Sequence, residues 1–127
     1  PVHSLIEIIN LKKSFDNEIR LFTTLNDKEM IVAGCVIFET ETVAHAQYIS
    51  GNEESKSSGA LNLLFIELID LIFNKKDFFD FGIANEDDGK SINIGLLTWK
   101  ERMGGRAYSH DFYEIETSSF NKLELDE

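Results

Sequence analysis

The chain has 127 residues, with 12 Lys and Arg against 23 Asp and Glu, and a formal net charge of −11. This length fits one domain, and a hydrophobic content of 43% supports a core, which excludes a disordered chain. The negative charge argues against binding along a nucleic-acid backbone or an anionic membrane surface. The single cysteine, Cys35, excludes an internal disulfide framework, and because no two histidines have metal-ligand spacing we expect no metal site.

The N-terminal sequence carries no recognisable export signal. It lacks a basic start and a small-residue cleavage site, and no apolar run in the chain approaches the ~18 residues of a membrane span. With one cysteine in an apolar stretch, these features favour the cytoplasm. The first residue is Pro1, which fits both a natural start after Met removal and the cut end of a longer protein.

The first half of the chain predicts a helix followed by an antiparallel meander. Ser4 and Glu7 have the spacing of a capping box, and the apolar residues behind them predict a helix over 4–15. Three segments rich in β-branched and aromatic residues follow, joined by short polar turns, and are predicted strands: 18–25, 30–39 and 43–50. The second of these is apolar on both faces, so we expect it at the centre of the sheet.

The second half begins with a predicted polar loop at 51–58 and a long helix at 59–74. This helix is apolar almost all round, so we expect it to be mostly buried. Four of its side chains are predicted core residues: Leu64, Phe65, Leu68 and Ile72. The next segment, 77–83, is a predicted strand, and the crossover helix before it predicts that this strand is parallel to strand 43–50.

The C-terminal third completes the predicted order α-β-β-β-α-β-α-β. We expect a helix at 91–103, which Gly104 and Gly105 end, then a last strand at 106–116 and a frayed polar tail at 117–127. The predicted fold class is mixed α/β, with a mostly antiparallel sheet flanked by helices. No linker divides the chain, so residues 1–127 are predicted to form a single domain.

A candidate anion site lies where the long helix begins. Lys56 precedes Ser57, Ser58, Gly59 and Ala60, so a cation and small residues stand at the positive end of a helix dipole. The unpaired amides of such a helix end can hold a phosphate or pyrophosphate. The alternative is that Ser57 or Ser58 is an ordinary N-cap.

Two residues of the third strand are candidates for proton transfer. His45 could act as a general base and Tyr48 as a general acid. Their spacing of three residues predicts that they point to opposite faces of the sheet. Both could instead be packed side chains whose polar tips are satisfied.

Three further positions have a functional and an ordinary interpretation. Glu86 lies in an acidic loop after strand 77–83, where open α/β sheets place ligands, but it could be simply solvated. Lys100 follows Trp99 and could hold an anionic substrate, or could be a surface lysine near a helix end. Asp80 begins a triplet that matches a kinase motif in letters, but the surrounding kinase motifs are missing.

Taken together, three stretches resemble the GNAT superfamily of acyl-CoA acyltransferases, and more narrowly the C-terminal domain of its Fem-like branch. Residues 33–38 with 44–49 look like the central hairpin, and 59–64 look like the start of the cofactor helix. The C-terminal signature is the third stretch, and it is made of 79–82, 93–96 and 99–105. The resemblance covers about residues 3–116.

This resemblance implies an acyl-CoA site. The backbone of Gln47 to Ser50 would pair with the pantetheine arm, and the amides of Ser57 to Ala60 would take the pyrophosphate. Implied cofactor contacts therefore lie at eight positions: Gln47, Ile49, Ser50, Lys56, Ser57, Ser58, Gly59 and Ala60. Leu61 departs from the family pattern, which has Gly or Ala at the last position of this loop.

The resemblance also implies the roles of the candidate catalytic residues. His45 or Glu86 would take the proton of an attacking amine, and Tyr48 would return one to the thiolate. Lys100 matches a lysine that contacts the substrate in Fem enzymes.

Two functions follow from this comparison. One is transfer of an acyl group from acyl-CoA, such as acetyl-CoA, to a small-molecule or peptide amine. The other is a non-catalytic assembly half of a two-domain Fem-like protein. In both cases we expect a partner, either a missing N-terminal GNAT-like half or a second copy in a homodimer.

Overall fold

A capped helix opens the part of the chain that the computed structural model describes, residues 3–117. The Ser4 side chain accepts a hydrogen bond from the Glu7 amide at 3.3 Å, and the Glu7 carboxylate accepts one from the Ser4 amide at 2.7 Å. These bonds hold the pKa of Glu7 below its usual value. The predicted capping box is therefore present, and helix α1 runs over Leu5–Ser14.

Four strands form the main sheet in chain order: β1 Ile19–Leu25, β2 Ile31–Glu39, β3 Val43–Gly51 and β4 Phe78–Asp80. The β1–β2 and β2–β3 pairs are antiparallel, and β4 is parallel to β3. The mixed, mostly antiparallel sheet and the parallel crossover are confirmed. Strand β4 is shorter than the predicted 77–83 because the chain turns at Gly82, whose φ of +70° interrupts extended backbone.

The segment between β3 and the crossover helix is helical, so the predicted polar loop at 51–58 is wrong. Helix α2, Glu53–Ser58, forms because the Asn52 side chain caps it, accepting a hydrogen bond from the Ser55 amide at 2.9 Å. Gly59 then takes a left-handed φ of 75°, which ends α2. Helix α3, Ala60–Glu67, starts immediately after it.

Helix α3 continues into a single wide turn, Leu68–Ile72, in which the Phe73 amide bonds to the Leu68 carbonyl. Leu64, Phe65 and Leu68 are buried, as predicted. The prediction for Ile72 is wrong, because its side chain is 43% exposed. The helix packs on one face of the sheet, and the described residues leave its opposite side to solvent even though that side is apolar.

A cluster of aromatic side chains covers the core where β4 ends. Phe65 is completely buried and stacks on Phe81 at a ring-centroid distance of 5.5 Å. Trp99 and Phe79 meet the same ring edge-on, at 5.0 and 5.8 Å. This cluster joins α3, β4 and the last helix, and it fixes the chain just after β4.

The last part of the described chain differs most from the prediction. Residues Asn85–Glu86 (β5) and Ser91–Ile92 (β6) form a small hairpin, and helix α4 is only Ile94–Arg102, capped by the Asn93 side chain. The predicted strand at 106–116 is wrong, because these residues are irregular and exposed. Its large side chains Tyr108, Phe112, Tyr113 and Ile115 are exposed, and no strand of the described sheets pairs with it. Apart from residue 117 itself, the predicted tail at 117–127 lies outside the described residues.

Helix α1 covers its side of the sheet loosely. Ile8 and Leu11 are half-buried, but three other apolar residues of the helix and Phe15 after it are 44–75% exposed: Leu5, Ile6, Ile9 and Phe15. Within residues 3–117, no helix is long and apolar enough to cross a membrane.

Candidate functional site

A cleft opens where β3 and β4 separate. Strand β4 pairs with β3 only at 43–45, and the chain then turns away at Gly82. A Cβ on Gly82 would lie 3.4 Å from the Ala46 carbonyl oxygen, so glycine also permits this close approach. Within the described chain, the β3 backbone from Gln47 to Ser50 therefore has no strand beside it on this edge. Its outward amide and carbonyl groups can pair with an extended ligand.

Strand β3 contains a β-bulge at Gln47. Tyr48 lies opposite Val36, but the next β2 residue, Ile37, lies opposite Ala46, so Gln47 is one residue extra. The extra residue reverses the side-chain alternation beyond it. His45, which lies opposite Phe38, therefore shares a sheet face with Tyr48. The prediction that these two side chains point to opposite faces is wrong.

Each ring nitrogen of His45 has an oxygen partner: a carboxylate oxygen for one and an amide oxygen for the other. Its Nδ1 lies 2.7 Å from Asp80 Oδ2, and its Nε2 lies 3.0 Å from Gln47 Oε1. The other Asp80 oxygen accepts a hydrogen bond from the Gly82 amide at 2.7 Å. A histidine oriented in this way by a carboxylate is the arrangement that general-base catalysis uses.

The Asp80 carboxyl is stabilised in its ionised form. Partial burial opposes ionisation, but the bonds from the Gly82 amide and His45, with the charge of Lys100, hold the pKa of Asp80 below its usual value. Asp80 is therefore a carboxylate at neutral pH. It can fix the orientation of the His45 ring and stabilise a positive charge that forms on it.

Lys100 is buried beneath the same turn. Its side chain enters from α4, and its Nζ donates hydrogen bonds to the carbonyls of Gly82 at 2.8 Å and Ile83 at 2.6 Å. Burial lowers the pKa of Lys100, and Asp80 partly opposes that effect. Only 7% of Lys100 is exposed, so the interpretation that it is a surface lysine is wrong. These bonds hold the turn that follows Asp80.

Tyr48 and Glu86 have other partners. The Tyr48 hydroxyl accepts a hydrogen bond from the His3 amide at 3.1 Å and lies 2.6 Å from His3 Nδ1. Glu86 belongs to the small hairpin, where its Oε1 accepts a hydrogen bond from the Asn93 side chain at 2.7 Å. The structure thus brings His45 together with Asp80 and Gln47, and it places Glu86 on a separate element.

The predicted anion site lies at the junction of α2 and α3. Lys56 Nζ is 2.6 Å from the Glu53 carboxylate, and the hydroxyls of Ser57 and Ser58 both donate to the Glu54 carbonyl. Neither serine caps α3, so the N-cap alternative is wrong for them. The N-cap residue of α3 is Gly59, and the Ser55 hydroxyl accepts a hydrogen bond from the Leu61 amide at 3.2 Å.

A groove of about 320 Å³ runs along this junction. It lies between the end of β3 at Gly51, the α2–α3 junction at Gly59, and Trp99 of α4. The Trp99 indole donates a hydrogen bond to the Asn62 side chain at 2.8 Å, which ties α4 to α3 across the groove. Among residues 3–117, no group of three or more His, Cys, Asp or Glu side chains is arranged to hold a metal ion.

Solved structures share this arrangement of strands and helices. An acetyltransferase from Trypanosoma brucei matches with a TM-score of 0.59 at 16% identity, over 91% of this chain and 82% of its own. The fold is that of the GNAT acetyltransferases. A candidate acetyl transferase from Pyrococcus furiosus gives a TM-score of 0.55 at 16% identity, over 85% of this chain and 74% of its own.

A third match is a mutant of a Bacillus halodurans protein, with a TM-score of 0.62 at 13% identity, over 85% of this chain and 72% of its own. The sequence matches no protein-family model and no curated protein. At these identities the likeness establishes the GNAT fold alone. The Fem-like branch stays a prediction.

Sequence reasoning missed Asp80 as a functional residue, although it noted the triplet. The available signal was the predicted parallel pairing of strand 77–83 with strand 43–50. Side chains of paired strands that stand opposite one another share a face, and in the structure His45 stands opposite Asp80. A one-residue error in register would have removed this contact, so the pattern alone did not identify it.

Proposed function

We propose that this chain transfers an acyl group from a thioester to an amine, with His45 as the general base. The observation that carries the proposal is the His45–Asp80 pair at 2.7 Å, which stands where the open edge of β3 begins. The GNAT fold supports it, since two of the similar structures are described as acetyltransferases. An extended ligand on that edge would place its reactive end beside the histidine.

The residues of the cleft fit the extended part of an acyl-CoA. The unpaired amide and carbonyl groups of Gln47 to Ser50 suit the amide-bearing pantetheine arm, which could pair with them as a further strand would. Bound acyl-CoA supplies a thioester carbonyl that is activated towards attack. The bulge makes Gln47 an extra residue opposite β2, and a backbone amide there could donate to that carbonyl oxygen.

His45 would take the proton from the attacking amine at Nε2. The amine nitrogen forms a bond to the carbonyl carbon, the carbon–sulfur bond breaks, and the thiolate receives a proton. Asp80 holds Nδ1–H, so Nε2 is the nitrogen that accepts. Rotating the Gln47 amide by 180° presents its NH₂ group to Nε2, and an incoming amine would displace it. Tyr48, on the same face, is our candidate for the proton that the thiolate receives.

Lys100 acts differently in this proposal from the substrate contact that the Fem-like resemblance implies. Its Nζ is buried and already donates to two carbonyls. We assign it to holding the Gly82 turn, and through that turn Asp80. Glu86 stays an alternative base that would need a water molecule to reach the amine.

A thiol-release assay tests the proposal, with acetyl-CoA as donor and a panel of small amines and peptides as acceptors. His45→Gln should lower kcat by roughly 10²–10⁴-fold, the usual contribution of a general base, while KM for the donor stays within a few-fold. His110→Gln is the matched control, because His110 is exposed and lies in the irregular segment after α4. It should leave both parameters unchanged.

Two outcomes would contradict the proposal. Equal activity of the wild type and His45→Gln would remove His45 as the base. Folded protein that neither releases thiol nor binds acetyl-CoA in calorimetric titration would instead favour the non-catalytic assembly half. The apolar side chains left exposed on the His45 face of the sheet, Leu21 and Phe78, support a partner in either case.

A further inference from the structure

Several groups that could bind an anion at the α2–α3 junction already have partners within the chain. The Ser55 hydroxyl accepts a hydrogen bond from the Leu61 amide at 3.2 Å, and the Gly59 amide donates to the Ser55 carbonyl at 3.0 Å. Ser57 and Ser58 direct their hydroxyls to the Glu54 carbonyl. A phosphate bound by these groups would have to break bonds that the chain has already made.

Among the described residues, Lys56 is the charged side chain that lines the groove, and it is already paired with a carboxylate. Lys56 is the cation of helix α2, and its Nζ lies 2.6 Å from a Glu53 oxygen. Glu54, the second carboxylate of this helix, lines a separate pocket and accepts hydrogen bonds from the Asn26 side chain at 3.0 Å. Helix α2 thus carries a net charge of −1, in a chain with a formal net charge of −11. A pyrophosphate would have to compete with Glu53 for Lys56, on a helix whose net charge is negative.

The remaining surface of the groove suits an uncharged chain. Leu61 and Trp99 provide apolar walls, and Gly51, which also lines the groove, is the last residue of β3. The backbone of Gln47 to Ser50 offers amide and carbonyl groups beyond that point. A ligand with a mostly apolar chain that carries amide groups would match both the groove and the β3 edge.

We propose that the donor is recognised through a neutral, pantetheine-like thioester chain and that its anionic nucleotide end contributes nothing to recognition. This proposal rests on the proposed acyl transfer and names the part of the donor that the site recognises. A thioester without the nucleotide should therefore be as good a donor as acyl-CoA.

The test compares kcat/KM for acetyl-CoA and for S-acetylpantetheine in the thiol-release assay. The two values should agree within about three-fold at moderate salt. The acetyl-CoA value should rise with added salt, because salt screens the repulsion between the nucleotide and the acidic helix. The S-acetylpantetheine value should not change.

A variant separates the electrostatic cause. Glu53→Gln releases Lys56 from its partner, so it should raise kcat/KM for acetyl-CoA several-fold and leave the value for S-acetylpantetheine unchanged. Glu67→Gln removes the same charge from an exposed position on α3 and serves as the control. It should alter neither donor.

The outcomes distinguish this proposal from the function on which it rests. A preference for acetyl-CoA of 100-fold or more would overturn it and leave acyl transfer intact. Inactivity with both donors would overturn acyl transfer, and this proposal with it.

Discussion

Replacing Lys100 with methionine should destabilise the fold by about 2–4 kcal/mol. The lysine makes two hydrogen bonds from a charged donor to the carbonyls of Gly82 and Ile83, each contributing roughly 1.5–3 kcal/mol. Methionine fills a similar volume but leaves those carbonyls unpaired. The loss is partly offset because methionine avoids the cost of burying the charge, which also lowers the pKa of Lys100. The free energy of unfolding of a domain of this size is about 5–15 kcal/mol, so the change is large.

Equilibrium urea unfolding measures this loss, with Lys75→Met as the control. Lys75 is exposed, and its substitution should change the free energy of unfolding by less than about 0.5 kcal/mol. A loss below about 1 kcal/mol for Lys100→Met would refute the argument that the lysine holds the Gly82 turn. In the folded variant kcat should fall while donor KM changes little, because the turn positions Asp80. A rise in donor KM with unchanged kcat would instead indicate a substrate contact.

Three further predictions concern the core, pH and assembly. Leu68→Ala should cost roughly 2–5 kcal/mol in urea unfolding and Ile72→Ala much less, since only the first side chain is fully buried. Burial raises the pKa of the Cys35 thiol from 9.0 to about 12, so the folded chain keeps a proton that the unfolded chain releases. Stability should therefore fall between pH 9 and pH 12, by up to about 4 kcal/mol, and the Cys35→Ala variant should lack this loss. Leu21 and Phe78, each 67% exposed on one sheet face, predict a homodimer, which sedimentation velocity at micromolar concentration would show; a monomer throughout that range would contradict it.

The order of the main sheet was predictable because local signals and chain connectivity agreed. Short polar turns between three apolar segments leave antiparallel pairing as the simple solution, and a helix between two strands requires a crossover. The helix at the N-terminus was equally predictable, since Ser4 and Glu7 form a self-contained capping box. Each of these features depends on residues that are close together in sequence.

The errors arose where tertiary packing decides. Ile72 looks like a core residue because the helix is apolar all round, but the described chain covers only one side of that helix. The segment 106–116 alternates weakly. A weakly alternating segment forms a strand only where it can pair with the edge of another strand and pack its side chains there. The α2 helix was missed because serines and glutamates suggested a loop, although Asn52 provides the cap that starts it.

The candidate site was only partly predictable because it depends on a one-residue irregularity. His45 and Tyr48 could be chosen from their chemistry, but their common face follows from the bulge at Gln47, which has no distinct sequence signal. The partner of His45 depends on the parallel register with β4, in which Asp80 is the last paired residue. A hydrophobic pattern specifies clearly which face of a strand is buried. It specifies less clearly at which residue the pairing of that strand ends.

The end of that pairing links the fold to the proposed chemistry. Extending β4 by pairing would cover the β3 edge on which we propose that a thioester binds, so the polypeptide has to leave the sheet directly after Asp80. Gly82 allows that turn through its positive φ, and the buried Lys100 holds the carbonyls that the turn exposes. A lysine buried for this purpose costs free energy, which a core of Phe65 and its aromatic neighbours can offset. The same turn thus opens the cleft, orients Asp80 and accounts for a buried charge that the stability of the fold alone would not require.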